Sequence, residues 1–206
     1  MTDHFVFAYG SLIDEHSRQA SNPPITPLSS EPLRWVRICG YRQGWLTPCS
    51  GFTYLGVIPD GNARSSGVLL HVDEEVLKRI DGREDEGKVY KRVPVNPSAI
   101  QLIGSVHRFE SPVWLYKAIR PGAPSEEFPI WQSYVDVVLR GCIREFKESF
   151  AKEVVGSCCN WARPWENDRK EPRYPRQGKG IQPAEEAMID KVLSACEVLR
   201  HRRPAT

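Results

Sequence analysis

Phe5-Val6-Phe7-Ala8-Tyr9-Gly10-Ser11-Leu12 reads as an apolar β-strand that stops abruptly at Tyr-Gly-Ser. Glycine and serine at a strand end let backbone N–H groups turn outward into a small anion-binding nest. Alone, such a turn is an ordinary way to finish a strand. Its weight comes from a second stretch, Ile80-Asp81-Gly82-Arg83-Glu84, followed six residues after Glu84 by Tyr90 and a new strand pattern.

Outward from the octet, further strands are expected at Trp35–Tyr41, Phe52–Ile58, Ser66–Val72, Tyr90–Val95 and Val113–Ile119, with Gly, Pro, Asn and Asp between them. Residues 14–33 hold four prolines and a Ser-Ser pair and are expected to form a surface loop. A short helix is expected from Glu74 to about Asp81, with Asp73 as N-cap and Val76, Leu77 and Ile80 as its buried stripe. Gly82 is expected to end it. Pro124-Ser125-Glu126-Glu127 suggests a capped helix start. Beyond it, Trp131, Val135, Val138, Cys142 and Phe146 recur at spacings of 4, 3, 4 and 4, one face of an amphipathic helix. A last helix should begin near Pro183, with Ala184, Ala187, Met188, Val192, Cys196 and Leu199 facing inward. Strands first and helices later give the α+β class rather than a doubly wound sheet.

A chain of 206 residues fits one domain, or one domain with an appendage. Its hydrophobic fraction of 40%, charged fraction of 26% and net charge of +2 give no general attraction to nucleic acid or membrane. No run approaches the ~18–20 apolar residues of a membrane span. The opening Met-Thr-Asp-His lacks the features of a secretory leader, so a cytoplasmic location is expected. Six cysteines form no Cys-x-x-Cys pair, and Cys158-Cys159 are awkwardly placed for one bridge, so reduced thiols are expected. The five histidines, at 4, 16, 71, 107 and 201, are too dispersed for a local zinc motif.

Together, the Tyr9-Gly10-Ser11 turn and the Asp81–Glu84 spacing resemble the γ-glutamylcyclotransferase-like (AIG2-like) superfamily. Its members carry a Tyr-Gly-Ser loop and one catalytic glutamate, three residues after an aspartate. The resemblance implies a small mixed β-barrel flanked by helices, with the active site at the barrel's mouth. It selects Glu84 over the adjacent Asp85 and Glu86 as the catalytic carboxylate, and leaves Arg83 to offset local negative charge. Phe7, Ala8, Tyr9, Gly10, Ser11 and Leu12 become the expected substrate-binding loop. Gly40–Trp45, Tyr54–Val57 and Ser66–Leu69 follow the family's middle strands and are read as structural. Pro124-Ser125-Glu126-Glu127-Phe128 matches the family's Pro-Ser-x-x-Tyr segment, whose tyrosine hydroxyl touches substrate. This chain has Phe128 there, and Tyr134 is the expected replacement.

The implied reaction is intramolecular. The α-amine of a γ-glutamyl amine, amino acid or peptide attacks its own γ-carbonyl, closing 5-oxoproline and expelling the amine. Ring closure supplies proximity, so no enzyme nucleophile is required. A carboxylate that accepts one proton and returns it to the leaving nitrogen suffices, which is the role expected of Glu84. No cofactor, metal, nucleic acid or membrane is implied, and the expected partner is a small γ-glutamyl molecule.

The expected division is a catalytic barrel over residues 1–153, with 154–206 as an aromatic and basic loop and helix packed on the same domain. The family pattern does not account for residues 156–181, whose stretch from 161 to 180 holds six basic and three acidic residues among three aromatics. Three readings stay open for it: a surface loop pinned by tryptophans, a lid carrying arginine to a substrate carboxylate, or a single-strand nucleic-acid patch. Its modest charge disfavours the last. A non-catalytic protein using the same barrel, with 156–181 as a partner surface, is the alternative to an enzyme.

Overall fold

A computed structural model describes residues 3–28, 33–104, 112–162 and 164–204. Residues 29–32 of the expected surface loop, His107 and Arg163 lie outside the described residues. The chain runs β1 (His4–Ala8), α1 (Glu15–Gln19), β2 (Arg34–Cys49), β3 (Phe52–Val72), α2 (Glu74–Arg83), β4 (Tyr90–Val95), β5 (Ile100–Leu102) and β6 (Val113–Ala118). It continues with β7 (Ile130–Trp131), α3 (Gln132–Ser157), β8 (Cys158–Cys159), β9 (Trp165–Glu166) and α4 (Pro183–Ala195). The class is α+β, as expected.

The main sheet has the order β4-β6-β1-β3-β2-β5, with β8 added alongside β2. It is mixed: β1 runs parallel to β6 and antiparallel to β3. The small mixed β-barrel that the resemblance implies is here a mixed sheet curled into a half-barrel. The expected strands Phe52–Ile58 and Ser66–Val72 are the two ends of one strand, the 21-residue β3. Its partner β2 extends the expected Trp35–Tyr41 to Cys49, and register shifts at Cys39/Tyr41 and Trp45/Thr47 bend the long pair. Residues that look like turn signals between short strands are thus absorbed by a twisted ribbon.

Other departures have local causes. Inside the expected 14–33 loop, Asp14 caps α1 by accepting the Ser17 N–H at 2.8 Å. Gly82 lies inside α2, which ends one residue later with Glu84 as its C-cap. Helix α3 does not start at Ser125. There the Ser125 hydroxyl accepts the Phe128 N–H in a local turn, and Pro129 bars αR geometry at Phe128. The helix starts only after β7 has paired with β9. Its backbone leaves helical geometry at Phe146 and Lys147, where α3 kinks, and the segment after the kink runs through position 153. Helix α4 buries Ile189, Val192 and Leu193, whereas Ala184, Ala187 and Met188 are exposed. Its inward face is rotated from the expected one.

The length of α2 positions the site. β3 ends opposite the start of β1, with Val72 paired to His4. The ten-residue α2 then returns along β1 for about 15 Å, close to the ~17 Å span of five strand residues. Asp73 caps it through the Val76 N–H at 2.7 Å, and Val76, Leu77 and Ile80 bury its stripe. Its carboxyl end therefore arrives where β1 stops, at Tyr9-Gly10-Ser11.

Candidate active site

A cavity of about 300 Å³ opens at the carboxyl end of β1. Phe7 through Leu12 form one wall, Arg83, Glu84 and Asp85 a second, and Tyr134 from the first turn of α3 faces the turn. The structure therefore gathers every residue expected at the site around one volume. Phe128 does not line it. Its carbonyl accepts the Thr53 hydroxyl at 2.6 Å, and it serves the chain's own backbone.

The turn is shaped by its neighbours. Gly10 caps a 3-10 turn over Ser11–Ile13, closed by the Ile13 N–H to the Gly10 carbonyl at 3.0 Å. The first amides of such a turn have no internal acceptor, which leaves N–H groups for a ligand. A Cβ on Gly10 would stand 2.9 Å from the Tyr134 hydroxyl oxygen, so the glycine makes room for that tyrosine. Gln43 donates to the Tyr9 carbonyl at 3.2 Å, and Tyr9 donates its hydroxyl to the Tyr116 carbonyl at 2.6 Å. Tyr116 in turn donates to Asp81 at 2.6 Å, and Asp81 pairs with Arg92 at 2.8 Å. Asp81 thus braces the tyrosines rather than facing the cavity.

Arg83 does more than balance charge. Its side chain is 3% exposed and donates to the Ser11 hydroxyl at 2.9 Å and to the Ser17 hydroxyl at 3.0 Å. It clamps the end of α2 onto the turn. Glu84 follows it, 19% exposed, with Oε1 3.5 Å from the Arg83 Nε. Burial raises the Glu84 carboxyl above its ordinary range, while Arg83 and Arg176 hold it back and Asp85 pushes it further up. Burial also raises Tyr9, Tyr90 and Tyr134, with the Glu84 charge adding to the effect, so these phenols stay protonated donors. The site combines a desolvated carboxyl, phenol hydroxyls and a turn of backbone amides. Among the described residues no cluster of three His, Cys, Asp or Glu side chains converges for a metal.

The sequence left the place of residues 156–181 open between a pinned loop, a lid and a nucleic-acid patch. Tyr174, Pro175 and Arg176, from the aromatic and basic segment, close the cavity opposite β1. Tyr174 is buried, packs at a tilt against Tyr134 with ring centroids 4.8 Å apart, and donates its hydroxyl to Ser11 at 2.7 Å. The same segment is pinned: Trp165 is fully buried, and Arg169 pairs with Asp136 and Asp190. Arg140 is buried against Asp14 at 2.7 Å and also donates to the Gln177 and Lys179 carbonyls. Loop and wall are one object. The only signal in the sequence was the Pro-Arg-Tyr-Pro-Arg pattern itself, whose destination depends on how 160 intervening residues fold.

A small curled mixed sheet with one partly buried glutamate beside a Tyr-Gly-Ser turn defines a cyclotransferase-like fold. The family model described as gamma-glutamyl cyclotransferase, AIG2-like, matches residues 6–132, and the chain belongs to this family. Among curated proteins no sequence matches significantly. Solved structures share the fold at low identity. A gamma-glutamyl cyclotransferase superposes with a TM-score of 0.56 at 13% identity, over 92% of this chain and 99% of the other. The uncharacterised human protein loc79017 gives 0.54 at 13% identity with the same coverage. YkqA from Bacillus subtilis gives 0.59 at 18% identity, over 75% of this chain and 54% of that protein. Among the described residues no helix is long and apolar enough to cross a membrane.

Proposed function

We propose that this chain is a γ-glutamyl cyclotransferase, converting a γ-glutamyl amine, amino acid or peptide to 5-oxoproline with release of the amine. The observation that carries the reading is a partly buried carboxyl, Glu84, sharing one cavity with the Tyr9-Gly10-Ser11 turn. Glu84 takes a proton from the α-ammonium, and the freed amine attacks the γ-carbonyl. Amides of the Phe7–Leu12 stretch hold the developing oxyanion, an effect commonly worth ~3–4 kcal/mol per donor. The tetrahedral centre collapses as Glu84 returns the proton to the leaving nitrogen. A carboxyl pKa raised towards neutrality suits both halves of that exchange. Tyr134 supplies the phenol donor that the family's tyrosine provides at the position of Phe128.

Residues 1–153 form the proposed catalytic unit, with 154–206 packed on it and contributing the Tyr174–Arg176 wall. A cytoplasmic location is part of the proposal and is supported by six free thiols. The test is a panel of γ-glutamyl compounds assayed for 5-oxoproline, with Glu84→Gln alongside. The variant keeps the volume and removes the base, so a loss of about 10²–10⁴-fold is expected. An equally active variant would remove Glu84 from the mechanism. Absence of turnover on every compound would favour a binding protein.

A further inference from the structure

Arg176 stands where the cavity gives way to a second, outer groove, and it lines both. That groove follows α2 and the Ser21–Pro23 turn, and it is basic: Lys78, Arg79, Arg83 and Arg176 face one carboxylate, Glu75. Three of the cations have partners on neighbouring residues. Arg79 pairs with Glu75, and Arg83 is spent on Ser11, Ser17 and Ser21. Lys78 is 71% exposed and only 3.6 Å from Glu74. Among the described residues, no hydrogen bond or ion pair engages the Arg176 guanidinium, which acts on Glu84 through its charge alone.

The backbone carrying Arg176 is nonetheless fixed on both sides. Before it, Tyr174 donates its N–H to the Ser133 hydroxyl at 3.1 Å and its own hydroxyl to Ser11. After it, Arg140 holds the Gln177 and Lys179 carbonyls at 2.8 and 2.6 Å. An uncommitted guanidinium on an anchored backbone, at a cavity mouth, is placed for an anion that arrives with the ligand. If the α-amine meets Glu84 and the γ-carbonyl meets the turn, the γ-glutamyl half fills the inner cavity. The leaving half must then extend through the mouth.

We propose that Arg176, with Lys78 beyond it, selects γ-glutamyl compounds whose leaving half carries a carboxylate, an amino acid or peptide rather than a simple amine. The inference rests on the cyclotransferase reading. Its probes are γ-glutamyl-alanine and γ-glutamyl-alaninamide, which differ only in the outer charge, with 5-oxoproline as the readout. Wild-type protein is expected to have the higher kcat/KM on the acid. Arg176→Gln should lower the acid-to-amide ratio of kcat/KM about tenfold or more, and Arg176→Lys should retain part of it. Any effect of Arg176 on Glu84 acts on both substrates and cancels in the ratio. Raising salt should compress the wild-type ratio without any mutation.

A ratio unmoved by Arg176→Gln overturns the inference. So does an equal fall on both substrates, which would place the guanidinium on the shared γ-glutamyl half. If neither substrate yields 5-oxoproline while another γ-glutamyl compound of the panel does, this inference fails and the cyclotransferase reading stands; if no compound of the panel yields it, both fail.

Discussion

Replacing Gly67 with alanine tests how tightly the sheet holds the turn. Gly67 lies in β3 directly before Val68, the partner of Ala8 in β1. A Cβ there would stand 2.4 Å from the Ala8 carbonyl oxygen and 2.7 Å from the Phe7 ring. Reaching an ordinary 3.4 Å contact requires the two strands to part by about 1 Å. Phe7 is 1% exposed, so its ring has no solvent to move into. Overpacking of this kind costs about 2–3 kcal/mol, which for a chain of this size lowers Tm by roughly 4–12 °C. The shift also reaches Tyr9 and Gly10, where a displacement of about 1 Å is worth ~100-fold in rate. Differential scanning calorimetry and 5-oxoproline release measure the two effects. Gly61→Ala is the control, since a Cβ there meets nothing within 4 Å and the position is exposed. If Gly67→Ala melted and turned over like Gly61→Ala, the close approach of β3 to β1 would not govern the turn.

Further predictions concern the supports of the site. Arg140→Met leaves Asp14 buried without its partner and two carbonyls without donors, and chemical denaturation should show a loss of about 3–5 kcal/mol. Tyr174→Phe removes the hydroxyl given to Ser11 and should cost about 1 kcal/mol in the same assay, with a raised KM. Glu84→Gln should stabilise the protein in a pH-dependent way. The folded Glu84 pKa lies above its ordinary value, so the wild-type carboxyl contributes fully at low pH and loses that contribution as pH rises through the folded pKa. The Tm advantage of the variant should therefore be absent below about pH 4 and grow towards neutrality. The acid limb of wild-type kcat/KM should lie above pH 4.5 for the same reason.

What the sequence disclosed was local or carried by fixed spacing. The β1 octet, the capped α2 and the Glu84 position are each written in a few adjacent residues, and the length of α2 nearly dictates that Glu84 meets the turn. The Tyr174–Arg176 wall was not legible, because long-range packing through Arg140, Asp14 and Ser133 brings it there. The long β2–β3 ribbon was hidden for a different reason. Pro59, Asp60, Gly61 and Asn62 are turn-forming types, yet they lie within β3 at its intermediate and exposed positions, where pairing and twist override propensity. The false helix start at Ser125 shows the converse: a good cap does nothing when a proline four residues later blocks the helix.

In the proposed reaction the ring closes within the substrate, without water. The direct measurement is mass spectrometry of γ-glutamyl-alanine turnover in ¹⁸O-labelled water. 5-Oxoproline and alanine are expected in equal amounts with no label in either. Glutamate carrying ¹⁸O in its γ-carboxylate would contradict ring closure, because that product requires hydrolysis of the amide rather than cyclisation.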